Sequence, residues 1–312
     1  MNDKTQSPDQ AVETPGNEPR RCGFIAIIGR PNVGKSTLLN HLLRQKISIT
    51  SRKPQTTRHR ITGVHTTSDT QFIYVDTPGL HSNHSRSLNR IMNETVVSVI
   101  NDVDVILFVV ERLQWSPADE QVLKAVAGIP VPVLLIINKV DQVADKTRLL
   151  PHIGKLARHN FAEIIPVSAL GGHNLEALEE TLQHYLPEGP FLFPEEQVTD
   201  RSSRFMAAEL IREKITRQLG DELPYEITVE IEKFTQDGPV LHIHGLILVD
   251  KKGQKQILIG KDGERLKSIG SAARVDMEEV FQTRVMLNLW VKVKSGWADD
   301  ERALRSLGYI AD

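Results

Sequence analysis

Gly29-Arg30-Pro31-Asn32-Val33-Gly34-Lys35-Ser36 fits the pattern G-x-x-x-x-G-K-[ST] and decides how the first half of the chain folds. The apolar run Phe24-Ile25-Ala26-Ile27-Ile28 precedes it, and Thr37-Leu38-Leu39-Asn40-His41-Leu42-Leu43 follows. Strand, tight turn and helix start in that order favour a phosphate-binding loop over a structural glycine turn. Its glycines let the backbone wrap an anion, its amides point at the anion, and Lys35 adds charge between the outer phosphates. Ser36 is then placed to hold Mg2+.

Working outward, apolar runs at 24–28, 72–75, 105–110, 133–137 and 164–167 alternate with helical patterns from residue 21 to 187. This spacing predicts an α/β domain with a mostly parallel sheet and ligand residues at the C-terminal strand ends. Asp76-Thr77-Pro78-Gly79 stands at the second of these ends, where a carboxylate can reach Mg2+ and a glycine amide can contact a terminal phosphate. Asn138-Lys139-Val140-Asp141 stands at the fourth. The Asp141 carboxylate can accept from both the ring N–H and the exocyclic amine of guanine, a pattern adenine reverses, and so selects GTP over ATP. Asn138 would tie this loop to its neighbours, and the stem of Lys139 would cover the base. Ser168-Ala169-Leu170 follows the last run and suits a third loop that meets the base through its backbone.

These four segments, in this order, resemble P-loop GTPases. Pro54-Gln55-Thr56-Thr57-Arg58 resembles the first switch of the translation-factor-related branch, in which a threonine completes the Mg2+ shell only when the γ-phosphate is present. By position that role falls to Thr57, with its neighbour Thr56 as the alternative. The resemblance implies GTP and GDP as ligands, with Lys35, Thr57 and Gly79 acting on the phosphates. Residues 46–56 contain few core formers, which predicts a mobile loop that orders on GTP. Leu80 stands where signalling GTPases carry a water-orienting glutamine, which predicts slow hydrolysis. Asn32 matches an asparagine that helps hold K+ beside the phosphates in related GTPases, so K+ is a candidate cofactor. Helices are expected over 86–101 and 117–127, with His81 and His84 as solvated loop residues.

The 312 residues suit two domains, and a 40% hydrophobic composition suffices for their cores. A formal net charge of -2 excludes a general basic excess, so a nucleic-acid partner needs a local patch. The single cysteine, Cys22, excludes an internal disulfide and reads as a small core residue. The apolar runs are strand-sized, too short for a membrane span. Residues 1–20 are polar, with Pro8, Pro15 and Pro19, and read as a disordered tail instead of a signal peptide; the expected location is the reducing cytoplasm.

Residues 188–199, rich in proline, read as a stiff linker, and a second domain is expected over 200–312. Ala208, Ile211, Ile215 and Leu219 form one helical stripe, capped by Asp200 or a neighbouring serine. Ile227, Val229 and Ile231, then Leu241, Ile243 and Ile247, mark the strands of a hairpin. Gly260-Lys261-Asp262-Gly263 leads into a helix striped by Leu266, Ile269, Ala273 and Val280, and Val285, Leu287, Leu289, Val291 and Val293 alternate as a further strand. A C-terminal helix completes the domain. This order around G-x-x-G resembles the α+β type II KH domain, which clamps about four unpaired nucleotides between the glycine loop and an apolar groove. Ile257, Leu258 and Ile259 are expected to line the groove, and Gly260, Lys261, Gly263, Arg265, Lys267 and Arg274 to meet the RNA backbone. Residues 251–274 carry seven basic side chains against two acidic, whereas 201–312 carry eighteen of each, so positive charge gathers at the loop. Trp290 and Trp297 are expected to pack; His242 and His244 are assigned no role.

A GTPase domain followed by a type II KH domain resembles the bacterial ribosome-assembly GTPases over residues 21–312. That resemblance implies a monomer that binds near the 3′ end of small-subunit (16S) ribosomal RNA on a 30S subunit precursor, with peripheral association with the inner membrane. Two rivals stand beside it. A P-loop nucleotide kinase would not need Asn138 to Asp141, and a membrane-linked signalling GTPase would use the basic patch on anionic lipid.

Overall fold

The apolar runs of the first half become strands, all but the last of them largely buried on both faces. In this computed structural model, which describes residues 20–51, 53, 56–80, 87–219 and 227–309, they are β1 (Arg21–Ile28), β3 (Thr70–Asp76), β4 (Val105–Glu111), β5 (Val133–Asn138) and β6 (Glu163–Pro166). The expected tail through residue 19, Pro54, Gln55, His81, His84 and Arg86 lie outside the described residues. The five strands are parallel, and β2 (Ile61–Thr66) adds an antiparallel edge, giving the order β2-β3-β1-β4-β5-β6. Only Ile61 and Val64 are large apolar residues in β2, so it leaves no apolar run to find.

Alternation along these strands divides two cores. Ile25, Ile27, Leu107, Val109, Leu134 and Ile136 pack under α1 (Lys35–Leu42) and α5 (Leu175–Tyr185). Ala26, Ile28, Ile106, Phe108, Leu135 and Ile137 pack under α2 (Ser87–Asn101), α3 (Pro117–Val126) and α4 (Leu149–Leu156). Cys22 is buried beside Gln71. The Pro-rich connection is stitched across the sheet edge: Val64 N–H donates to Val198 O at 2.8 Å and Thr199 Oγ1 to Thr62 O at 2.7 Å.

The second half contains α6 (Ser203–Leu219), β7 (Ile227–Asp237), β8 (Val240–Val249), α7 (Lys252–Ile259), α8 (Glu264–Phe281), β9 (Arg284–Val293) and α9 (Glu301–Ser306). β7 pairs antiparallel with β8, which pairs parallel with β9. Of the caps considered for α6, Ser202 is the one used, its Oγ accepting from Phe205 N–H at 3.2 Å. Ile211, Ile215, Ile243, Ile247, Ile269, Ala273 and Met277 form the core between helices and sheet. Trp297 packs as expected, fully buried with Leu304 and Tyr309 against Leu88 and Met92 of α2. Trp290 does not: it is 38% exposed, edge-on to His244.

Candidate nucleotide site and RNA groove

β1 ends at Ile28 and α1 begins at Lys35, so six residues must reverse the chain. Gly34 permits this at φ +101°, where a Cβ would also overlap the Asn138 amide. Lys35 is 6% exposed and donates Nζ to Gly29 O at 3.0 Å and Arg30 O at 3.1 Å. Burial lowers its pKa to about 8, with the Asp76 carboxylate opposing and the Arg30 cation reinforcing that drop.

Three expected metal ligands converge. Asp76 Oδ2, at the end of β3, accepts from Ser36 Oγ at 2.8 Å and Thr57 Oγ1 at 3.5 Å, and the two hydroxyls lie 2.7 Å apart. Ser48 Oγ adds a donor at 3.0 Å that no motif suggested. Asp76 is fully buried, which raises its pKa against the opposing pull of Lys35 and the hydroxyls, and its Oδ1 has no hydrogen-bond partner among the described residues. Two hydroxyls and a carboxylate with an orphaned oxygen form a hard-oxygen set that fits Mg2+, an ion that completes its shell with water and phosphate. Thr56 is turned away, donating to Lys53 O at 2.6 Å. Thr77 Oγ1 donates to Ile27 O at 2.9 Å; Pro78 and Gly79 are buried, with Gly79 against Pro31.

The expectation of a core-poor 46–56 loop is corrected at residues 47–50. Ile47, Ser48 and Ile49 are buried, and Asn40 Oδ1 accepts from the N–H groups of Ile47 and Ser48 at 3.0 and 2.9 Å. Farther along, the segment contacts α6: Thr50 N–H donates to Glu213 Oε1 at 2.8 Å, and Arg217 Nε donates to Thr50 O at 3.0 Å. Arg58 is buried, with Nη1 donating to Ile227 O at 2.7 Å. These partners lie far along the chain and left no local pattern.

Around the base site Asn138 joins three loops. Its Nδ2 donates to Val33 O at 2.9 Å, while its Oδ1 accepts from Lys139 N–H at 2.8 Å and Ala169 N–H at 2.9 Å. Val140 N–H donates to Val167 O at 3.2 Å. Ser168 Oγ donates to Asp141 Oδ1 at 2.6 Å and accepts from Gly171 N–H at 3.1 Å, so the third loop grips Asp141 by a side chain that the backbone reading missed. The Ala169 amide is already used, and Leu170 is 77% exposed. Asn32 is exposed with φ +67°, and Leu80 packs on the sheet core.

The RNA-site expectation needs two corrections. Leu258 is fully buried in the core, because α7 turns it inward, with Ile257 and Ile259 half-buried against the same cluster. Arg265 Nη1 donates to Ile257 O at 2.8 Å and braces the glycine loop. The groove of about 340 Å³ is instead lined by Gly263, Leu266, Lys267, Gly270, Arg274 and Leu287, among others. Gly260, at φ +74°, lies so close to Arg265 that a Cβ would sit 2.7 Å from its Cβ. Lys261 is exposed beside the groove, and Arg274 pairs with Glu278 at 3.1 Å.

Comparisons with known proteins fit this geometry. A family model described as 50S ribosome-binding GTPase matches residues 24–139, and one described as KH domain matches residues 222–298. The GTPase Era of Ectopseudomonas mendocina is 62% identical over 291 residues, 93% of this chain and 97% of that protein. The chain belongs to the Era family of GTPases. Era of Azotobacter vinelandii is 61% identical over 290 residues, again 93% of this chain and 97% of its relative. A crystal structure of an Aquifex aeolicus Era variant bound to GDP and AlF4- superposes with a TM-score of 0.90 at 40% identity, covering 93% of this chain and all of that one. Era in complex with MgGDPNP and nucleotides 1506–1542 of 16S ribosomal RNA gives the same score and identity, covering 94% and 100%. Like its family, this chain is a GTPase with a C-terminal KH domain. Among the described residues no helix is long and apolar enough to cross a membrane.

Proposed function

We propose that this GTPase binds the 3′-terminal region of 16S ribosomal RNA in its KH groove and acts as a GTP-controlled switch in 30S subunit assembly. The observation that carries the reading is the groove behind the G-x-x-G loop, lined by Leu266 and Leu287 together with Lys267 and Arg274, in a chain of which 94% matches an rRNA-bound Era. Crosslinking in cells followed by sequencing of bound RNA tests it; recovery of RNA without enrichment of the 16S 3′ end rejects it.

In this reading residues 29–36 cradle the phosphates, Lys35 neutralises them, and Ser36, Thr57 and Asp76 hold Mg2+, which supplies charge neutralisation to the leaving phosphate. Thr57 and the Gly79 amide report the γ-phosphate. Asp141, oriented by Ser168, selects guanine. Leu80 offers no polar atom to the attacking water, so turnover is slow without a partner group or cation. The exposed Asn32 side chain suits K+; faster turnover in KCl than in NaCl at equal ionic strength is the expected result, and equal rates reject it. The segment through Thr50 and Thr57 carries the nucleotide state to α6 and the groove. Cytoplasmic location follows from the ribosomal partner, and flotation with anionic liposomes checks the peripheral membrane association.

A further inference from the structure

We infer that Glu111 is a positioning residue for the guanine base, holding Lys139 in place through a charge-paired link to the phosphate loop. No motif contains Glu111. It is the last residue of β4, in register with Asn138 of β5, and is 8% exposed. Its two oxygens are used separately: Oε1 accepts from Arg30 Nη2 at 2.8 Å, and Oε2 accepts from Lys139 Nζ. Arg30 Nε is in turn 3.2 Å from Asp119, which is fully buried and locked into the N-terminal capping box of α3. The chain Lys139, Glu111, Arg30, Asp119 therefore runs from the base loop, through the phosphate loop, to a rigid helix start.

Lys139 is fixed at both ends. Its backbone is left-handed (φ 62°, ψ 34°), with its N–H given to Asn138 Oδ1 at 2.8 Å. Its ammonium reaches Asn32 O at 2.6 Å as well as Glu111. A lysine pinned in this way presents its four-carbon stem as a preset shelf, so the side-chain entropy that stacking would otherwise cost has already been lost. Without the Glu111 charge, Lys139 and Arg112, the latter 3.6 Å from the carboxylate, would lose this counter-ion, and Arg30 would keep only Asp119. Burial raises the pKa of Glu111, but the hydrogen bonds from Lys139 and Arg30 more than offset this, keeping it a carboxylate.

The inference rests on the proposed place of Lys139 over the base, so the test separates the two. Affinity and dissociation rate for a fluorescent GDP are measured on the full chain for Glu111→Gln, Lys139→Met and the double variant, with melting temperatures of the nucleotide-free proteins alongside. Glu111→Gln should weaken GDP about tenfold, as expected when a charged hydrogen-bond partner is lost, and lower kcat/KM for GTP mainly through KM. In the Lys139→Met background the same change should add less than about twofold. Equal factors in both backgrounds, or no loss for Glu111→Gln in the otherwise native chain, overturn the inference. No loss for Lys139→Met overturns the Lys139 reading and the inference with it.

Discussion

The ammonium of Lys46 lies 2.7 Å from Asp276 Oδ2 and 2.6 Å from Glu213 Oε2. Glu213 is fully buried in α6 and also holds the Thr50 amide, seven residues before Thr57; Asp276 sits in α8, two residues beyond the groove cation Arg274. One lysine thus ties the segment approaching the nucleotide to two helices of the RNA half, α6 and α8. Lys46→Met should shrink the difference in RNA affinity between the GDP and GTP-analogue states, read by titrating labelled RNA in each. Breaking the pair leaves Glu213 buried with fewer partners, so stability should also fall by about 1–3 kcal/mol in denaturant melts. An unchanged affinity difference would remove Lys46 from the coupling.

Ser168→Ala should loosen guanine recognition. The hydroxyl donates to Asp141 and accepts from Gly171, so its loss frees a carboxylate that must meet two donors on the base. The expected cost is about 1 kcal/mol, or roughly fivefold in GDP affinity. Because inosine nucleotides lack the exocyclic amine, preference for GDP over IDP should drop in parallel. A variant that loses affinity for both equally would place Ser168 outside base recognition.

The motif segments were legible because each ends an apolar run whose burial forces it into the sheet, delivering the next residues to one edge. Asp76 and Asn138 are terminal strand residues for that reason. Glu111 gave a faint signal, the first charge after the run that begins at Val105. The interface was not legible. Thr50 meets Glu213 across 163 positions and Arg58 meets Ile227 across 169, and such pairings have no period to read. Leu258 was misplaced because a three-residue apolar run does not say which side of a short helix turns inward.

Lys35 makes nucleotide binding pH-dependent. Its folded pKa of about 8 is below the ordinary 10.5, so below pH 8 the free protein bears the whole cost of a buried charge, and between 8 and 10.5 it binds fewer protons than the unfolded chain. Stability of the nucleotide-free protein from this group therefore rises with pH across that window. Phosphate restores the charged form, so binding near pH 8 takes a proton up. Calorimetry of GDP binding at pH 8 in two buffers of different ionisation heat should register about half a proton per site. Lys35→Arg should register none, and equal heats for the unaltered chain would rule out the shift.

In the groove, the charged and apolar residues should separate by readout. Lys267 and Arg274 line it with exposed charge, whereas Leu258 is a core residue at 0% exposure. Lys267→Ala and Arg274→Ala should each weaken binding of a 16S 3′-end oligonucleotide and reduce its salt slope by about one, with melting temperature preserved. Leu258→Ala should instead cost about 2–5 kcal/mol of stability, and its RNA affinity, measured on the folded fraction, should change little. Weaker RNA binding by Leu258→Ala at an unchanged melting temperature would return Leu258 to the groove and displace the lining assigned to Leu266 and Leu287.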